Sequence, residues 1–401
     1  MSSPAPVLPT PVRLTWLDGI KGVSILWIVF FHFFNTYANG RYPSPIGAHY
    51  FSSFFSQCTA VADHSVFGCV GQSVFVAVVQ VAFHAVAVFI VLSGFGLAYA
   101  LAKTGHPEGG WIGWYRGRVF RLFPMYWLAH LLFLISPFVA RPEPIDYRFL
   151  LSVLGDRIYP VESLFYYANP AWWYFGMLVQ LYLVFPLLFR LLQKLGPGRF
   201  LAVCGVVTVV SRYLLLSGVI PVHGYYVQGA FCGARLWEFA FGMVLGMLYR
   251  QHPAVAEKYL FSGSTLLVGI ALYTVGLYSY VMILPYTMTD ALTGTGLFII
   301  LAHIVRGSER APRVAVPLVR VGAFSYGLYL VHQPYVIYFG ERMRDFSMPV
   351  FVVLACAIIA LLTLWTMPLE RYVNRLVDRL LEGRKARGQL SVARGQVTGD
   401  R

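Results

Sequence analysis

The chain has 401 residues, of which 58% are hydrophobic and 12% charged, with a formal net charge of +14. Soluble domains carry about 25% charged residues, so this composition excludes a string of soluble domains and points to a bilayer. The basic balance would suit a nucleic-acid binder, but Lys and Arg collect in short segments between apolar runs, the pattern of membrane topology and of anchoring to anionic lipid.

In chain order, residues 1–12 are Pro-rich and read as a disordered N-terminus. Apolar runs of roughly 20 residues, enough to cross a bilayer as a helix, then recur near 17–36, 74–102, 122–140, 172–189, 200–219, 230–249, 260–283, 290–305, 322–340 and 348–368. The runs are continuous, whereas a barrel would alternate within strands of about ten residues. In lipid each backbone amide must find its partner within its own segment. The predicted fold is therefore an all-α integral membrane protein, a bundle of about ten transmembrane helices. Placing both termini in the cytoplasm puts most of the 31 basic residues inside, among them Lys21, Arg116, Arg118, Arg121, Arg190 and the arginines after Pro368. The first run lacks a small-residue cleavage site and reads as a retained helix. Residues 13–368 form the predicted transmembrane domain and 369–401 a basic cytoplasmic tail, with an amphipathic helix to about 383 and a loose end. No internal repeat is visible. Cys204, Cys232 and Cys356 fall in spans as packing residues. Cys58 and Cys69 share the first external loop, either as a disulfide in an oxidising compartment or as two free thiols.

Polar residues inside spans are costly and mark function by default. In the first span, Asp18 is a candidate helix cap. Lys21 and His32 are eleven residues apart, close to three helical turns, so they share a face and stand about 16 Å apart along the axis. That face offers a cation at the cytoplasmic mouth and a base deep inside, an arrangement suited to a donor with a phosphorylated head and a long arm; topology signalling by Lys21 is the plainer role. Ser93-Gly94-Phe95 closes the second span and permits close helix packing. Arg116, Arg118 and Arg121 cluster before Pro124, and the planar guanidinium fork matches phosphate oxygens. Arg235 and Glu238 stand at i,i+3, which suits mutual neutralisation as well as catalysis. His84 reads as a histidine satisfied within the bundle. No His/Cys set has zinc spacing, and no phosphate loop is present.

Together these segments resemble the membrane-bound acyltransferase-3 family. The resemblance rests on Asp18-Gly19-Ile20-Lys21 with His32, on Phe89 through Ser93-Gly94-Phe95, and on Arg118-Val119-Phe120-Arg121 with Pro124. Later segments also resemble it: Ala171-Trp172-Trp173-Tyr174, Arg235-Leu236-Trp237-Glu238-Phe239, and the run from Ser325 to Pro334. Two departures stand out. Lys21 replaces the usual Arg, and Ala87 stands where many members carry an acid shortly before Ser-Gly-Phe.

The resemblance implies a bacterial inner-membrane O-acyltransferase that moves an acyl group, acetyl by default, from cytoplasmic acyl-CoA to a hydroxyl of a sugar or cell-surface polysaccharide. It implies His32 and Glu238 as catalytic residues. Lys21, Arg118, Arg121 and Ser93 would hold acyl-CoA, the co-substrate, and Tyr326 and His332 would line the acceptor together with Trp172 and Trp173, whose plainer role is an aromatic belt at the external interface. No resident cofactor, metal or nucleic acid is expected. His32 would act as general base or take the acyl group itself. A transporter of envelope precursors, using intramembrane His and Glu as a proton relay, is the alternative reading.

Overall fold

The computed structural model describes residues 14–46, 50–60, 65–141, 144–221, 224–281 and 286–398. The stretch 1–12, read as disordered, lies outside them. Among the described residues the chain is all-helical. Its main helices are α1 (Thr15–Ala38), α2 (Tyr50–Thr59), α3 (Val66–Gln80), α4 (Ala85–Leu101), α5 (Gly110–Ile135), α6 (Tyr147–Val153), α7 (Val161–Leu164) and α8 (Trp173–Leu216). They are followed by α9 (Leu236–Gln251), α10 (Pro253–Leu260), α11 (Gly263–Tyr278), α12 (Thr289–Ser308), α13 (Pro312–Ala323), α14 (Ser325–Arg342) and α15 (Met348–Thr398).

Among the described residues, six helices are long and apolar enough to cross a membrane, and eight if each bent pair is one span. The sequence pattern suggests ten, and two places account for the difference. The runs 172–189 and 200–219 are two helical stretches, numbered together as α8, that follow one another across a kink at Gly196 (φ 75°, ψ 168°), next to Pro197, and count as a single span by length. The run 230–249 begins with irregular turns, leaving α9 only 16 residues. The bent pairs are α10 with α11, at 59°, and α13 with α14, at 81°. Leu267, Leu361 and Leu364 are about two-thirds exposed, as apolar residues facing lipid rather than water should be.

Helix starts follow local chemistry. Ser65 caps α3, its hydroxyl accepting from the Gly68 N–H at 3.1 Å. Asp18 is not the cap of α1. The helix begins at Thr15, and Asp18 lies one turn in, where its carboxylate pairs with Lys21 at 3.1 Å. α1 ends at Asn39 in the left-handed region (φ 46°), whose N–H returns to the Asn35 carbonyl. Cys58 and Cys69 form a disulfide that clips α2 to α3. The expected loose end of the tail is helical, since α15 continues to Thr398.

Close helix contacts fix the bundle. Gly94 and Gly242 lie where α4 meets α9, and a Cβ on either would overlap a carbonyl oxygen of the other helix, Phe239 or Val91 respectively. Gly22 of α1 and Gly322 of α13 meet in the same way. Without a hydrophobic drive between helices in lipid, such backbone approach supplies the packing. Thus the glycine of Ser93-Gly94-Phe95 serves packing, while its serine faces a cavity.

Candidate active site

Three adjoining cavities run through the bundle. A vestibule of about 770 Å³ is lined by Asp18, Lys21, Tyr99, Arg118, Arg121, Phe324, Asn374 and Asp378. It shares Lys21, Arg118 and Arg121 with a central chamber of about 290 Å³. The central chamber in turn shares Ile28, His32, Val86 and Trp173 with a distal chamber of about 660 Å³. Three cations therefore stand at the first junction and an imidazole at the second.

Of the sequence candidates, Lys21, His32, Ser93, Arg118, Arg121, Trp173, Tyr326 and His332 all line the central chamber. Lys21 and His32 do share one face of α1, as their spacing requires. Among the described residues, neither Arg118 nor Arg121 has a carboxylate within ion-pair distance. The Arg118 Nε is buried without a partner, while its guanidinium carbon lies 5.5 Å from the Trp114 ring centre. The sharp turn at Phe324 starts α14 beside these cations and brings Ser325 and Tyr326 to the chamber wall. A helix start carries partial positive charge, so the junction is cationic by side chain and by backbone. Ser93 Oγ donates to the Phe89 carbonyl at 2.8 Å, and Tyr326 Oη donates to the Leu122 carbonyl at 2.9 Å.

Trp172 and Glu238 are not at the central chamber. Trp172 is buried, lies face to face with His130 at 3.9 Å between ring centres, and donates its Nε1–H to the Leu330 carbonyl at 2.8 Å. The reason lies four residues beyond Leu330. Pro334 has no N–H to give that carbonyl, so Trp172 and the Asn169 amide (2.9 Å) supply the missing donors. Glu238 is fully buried and accepts from Arg235 Nε at 2.7 Å, the mutual neutralisation that the i,i+3 spacing allows. Arg235 also reaches Asp290 at 3.4 Å, and Arg212 pairs closely with the same Asp290. Arg212, Arg235 and Asp290 line the distal chamber, with Glu238 behind. His84 is satisfied by Tyr273 and Tyr280, each hydroxyl 3.1 Å from a ring nitrogen.

Sequence reasoning passed over Glu370, Arg212 and Asp290. Glu370 lines the central chamber, and its carboxylate accepts from the Gly327 N–H at 2.7 Å. Each is an ionisable residue in or beside an apolar run, so the cost of charge in a membrane was the available signal.

Fold and cavities together define a multi-pass membrane protein with a histidine deep in a polar passage between packed helices. A family model described as an acyltransferase domain matches residues 14–369. The chain belongs to the acyltransferase-3 family and is a membrane acyltransferase. Neither curated proteins nor solved structures give a significant match.

Proposed function

We propose that the protein transfers an acyl group, acetyl in the simplest case, from cytoplasmic acyl-CoA to a hydroxyl of a sugar or envelope polysaccharide that enters through the distal chamber. The observation that carries this reading is the order of the cavities: Lys21, Arg118 and Arg121 at one junction, His32 at the next. Phosphates of CoA held by the arginines would leave the pantetheine arm to run along the α1 face toward His32. The acceptor hydroxyl gives its proton to His32, and its oxygen attacks the thioester carbonyl. The C–S bond then breaks, and the thiolate takes the proton back from the imidazolium. An ester and free CoA result. Because both chambers reach His32, donor and acceptor can be present together, which favours direct transfer over an acyl-histidine. This reading keeps both termini in the cytoplasm of a bacterial inner membrane, and the Cys58–Cys69 disulfide suits an oxidising compartment on the far side. The count of about ten spans belongs to it as well, with α8 crossing twice about Gly196.

The test is thermal unfolding of the purified protein in nanodiscs with acetyl-CoA, with CoA, and with a dephosphorylated CoA. A ligand that binds only the folded state raises the melting temperature. Acetyl-CoA is expected to stabilise the wild type, less so without the phosphate, and to lose its effect in Arg121→Ala. No stabilisation of a folded sample at saturating donor would sink the donor site and favour a transporter.

A further inference from the structure

His332 stands 5.4 Å from His32 between ring centres, with the two rings inclined at 34°. Its position in α14 is over-determined. Nδ1 lies 2.8 Å from the Tyr329 carbonyl oxygen and 3.1 Å from that of Leu328. A carbonyl oxygen only accepts, so Nδ1 must carry the proton, and in the neutral ring Nε2 is left as a bare acceptor. That Nε2 is buried with no partner, and His332 is fully buried against the central chamber. A buried acceptor without a donor is destabilising, so its retention here calls for a donor that arrives. The surrounding backbone is held from outside the helix as well, by Tyr329 Oη donating to the Ala171 carbonyl at 2.9 Å and by Asn169 and Trp172 on the Leu330 carbonyl. By contrast, the His32 side chain keeps some exposure, lining both the central and the distal chamber, and among the described residues neither of its ring nitrogens has a hydrogen-bond partner. One imidazole is fixed in place with a free lone pair, and the other, beside it, has room to turn.

We propose that His332 is a positioning residue for His32. A turn of the His32 ring into the open chamber brings one N–H onto His332 Nε2. The opposite nitrogen then presents its lone pair to the acceptor hydroxyl. When His32 takes the hydroxyl proton, the same bond to His332 spreads the new positive charge over a second ring. A histidine held as a neutral acceptor here does the orienting that a carboxylate does in other base-catalysed sites. The inference rests on the reading of His32 as the base, but it is tested on the ring of His32 itself, with no donor or acceptor present. It therefore fails or stands independently of the acetyl-CoA experiment.

The experiment pairs nitrogen-15 histidine NMR with diethyl pyrocarbonate labelling, the two histidine-bearing peptides being read separately by mass spectrometry. The variants are His332→Asn, which can keep the amide donor to the Tyr329 carbonyl but removes the Nε2 acceptor, and His332→Gln, which returns an oxygen acceptor near that place. In the wild type, His332 is expected as the Nδ1–H tautomer and His32 as a single tautomer. In His332→Asn, His32 is expected to become a tautomer mixture, with carbethoxylation slowed about tenfold, the scale of one lost hydrogen bond. His332→Gln is expected to recover much of that rate. An unchanged His32 tautomer and rate in a folded His332→Asn would overturn the proposal. Should that variant not fold, the wild-type spectrum decides alone: a proton on His332 Nε2 excludes it as an acceptor.

Discussion

The two ends of the polar passage handle charge differently. At the distal chamber two arginines face two carboxylates, through Arg235–Glu238 at 2.7 Å, Arg235–Asp290 at 3.4 Å and the close Arg212–Asp290 pair. At the vestibule only Lys21 has such a partner, Asp18, while Arg118 and Arg121 have none among the described residues. A buried pair removed from water gains little net stability but becomes costly to break. An unpaired arginine beside a cavity is available to an anion. The distal charges thus hold helices together, and the vestibule charges are poised for a ligand.

The largest effect is expected at the residue between the two ends. His32→Ala is expected to lower acyl transfer by about 10²–10⁴-fold, with stabilisation by acetyl-CoA retained; loss of donor binding instead would move His32 from catalysis to binding. Next, Glu238→Ala strips Arg235 of its nearest partner and is expected to cost about 3–5 kcal/mol of stability without changing donor affinity, read from chemical unfolding and donor titration of the same samples. Arg118→Ala should show the reverse. Donor affinity falls by the equivalent of about 1.5–3 kcal/mol for a charged hydrogen bond, while the ligand-free melting temperature stays near wild type. If Arg118→Ala destabilises the empty protein as much as Glu238→Ala does, the contrast between the two ends collapses. The smallest effect is Gly94→Ala, where an added methyl forces α4 from α9 at roughly 1–3 kcal/mol.

The fold class was legible in the sequence because lipid imposes a simple rule, long apolar runs made helical. Counting spans was harder. Length and hydropathy do not reveal that Leu236–Gln251 starts late behind irregular turns, whereas the separate runs 172–189 and 200–219 do appear as two helical stretches that meet at a kink at Gly196. Within the site, Lys21 and His32 were readable because both belong to one helix, where spacing alone sets the face. Trp172 was misplaced for the opposite reason. Its partner is a carbonyl freed by Pro334, on a helix more than 150 residues away, a relation that no local periodicity contains. The same holds for Arg212 with Asp290, and for Glu370 with Gly327.

The most direct test is an electron cryomicroscopy structure in nanodiscs with a thioether analogue of acetyl-CoA. The account predicts the nucleotide phosphates against Lys21, Arg118 and Arg121, with the acyl end in the central chamber beside His32. An analogue seated elsewhere would contradict it, for example in the surface groove of about 550 Å³ lined by Val305, Arg320 and Arg371.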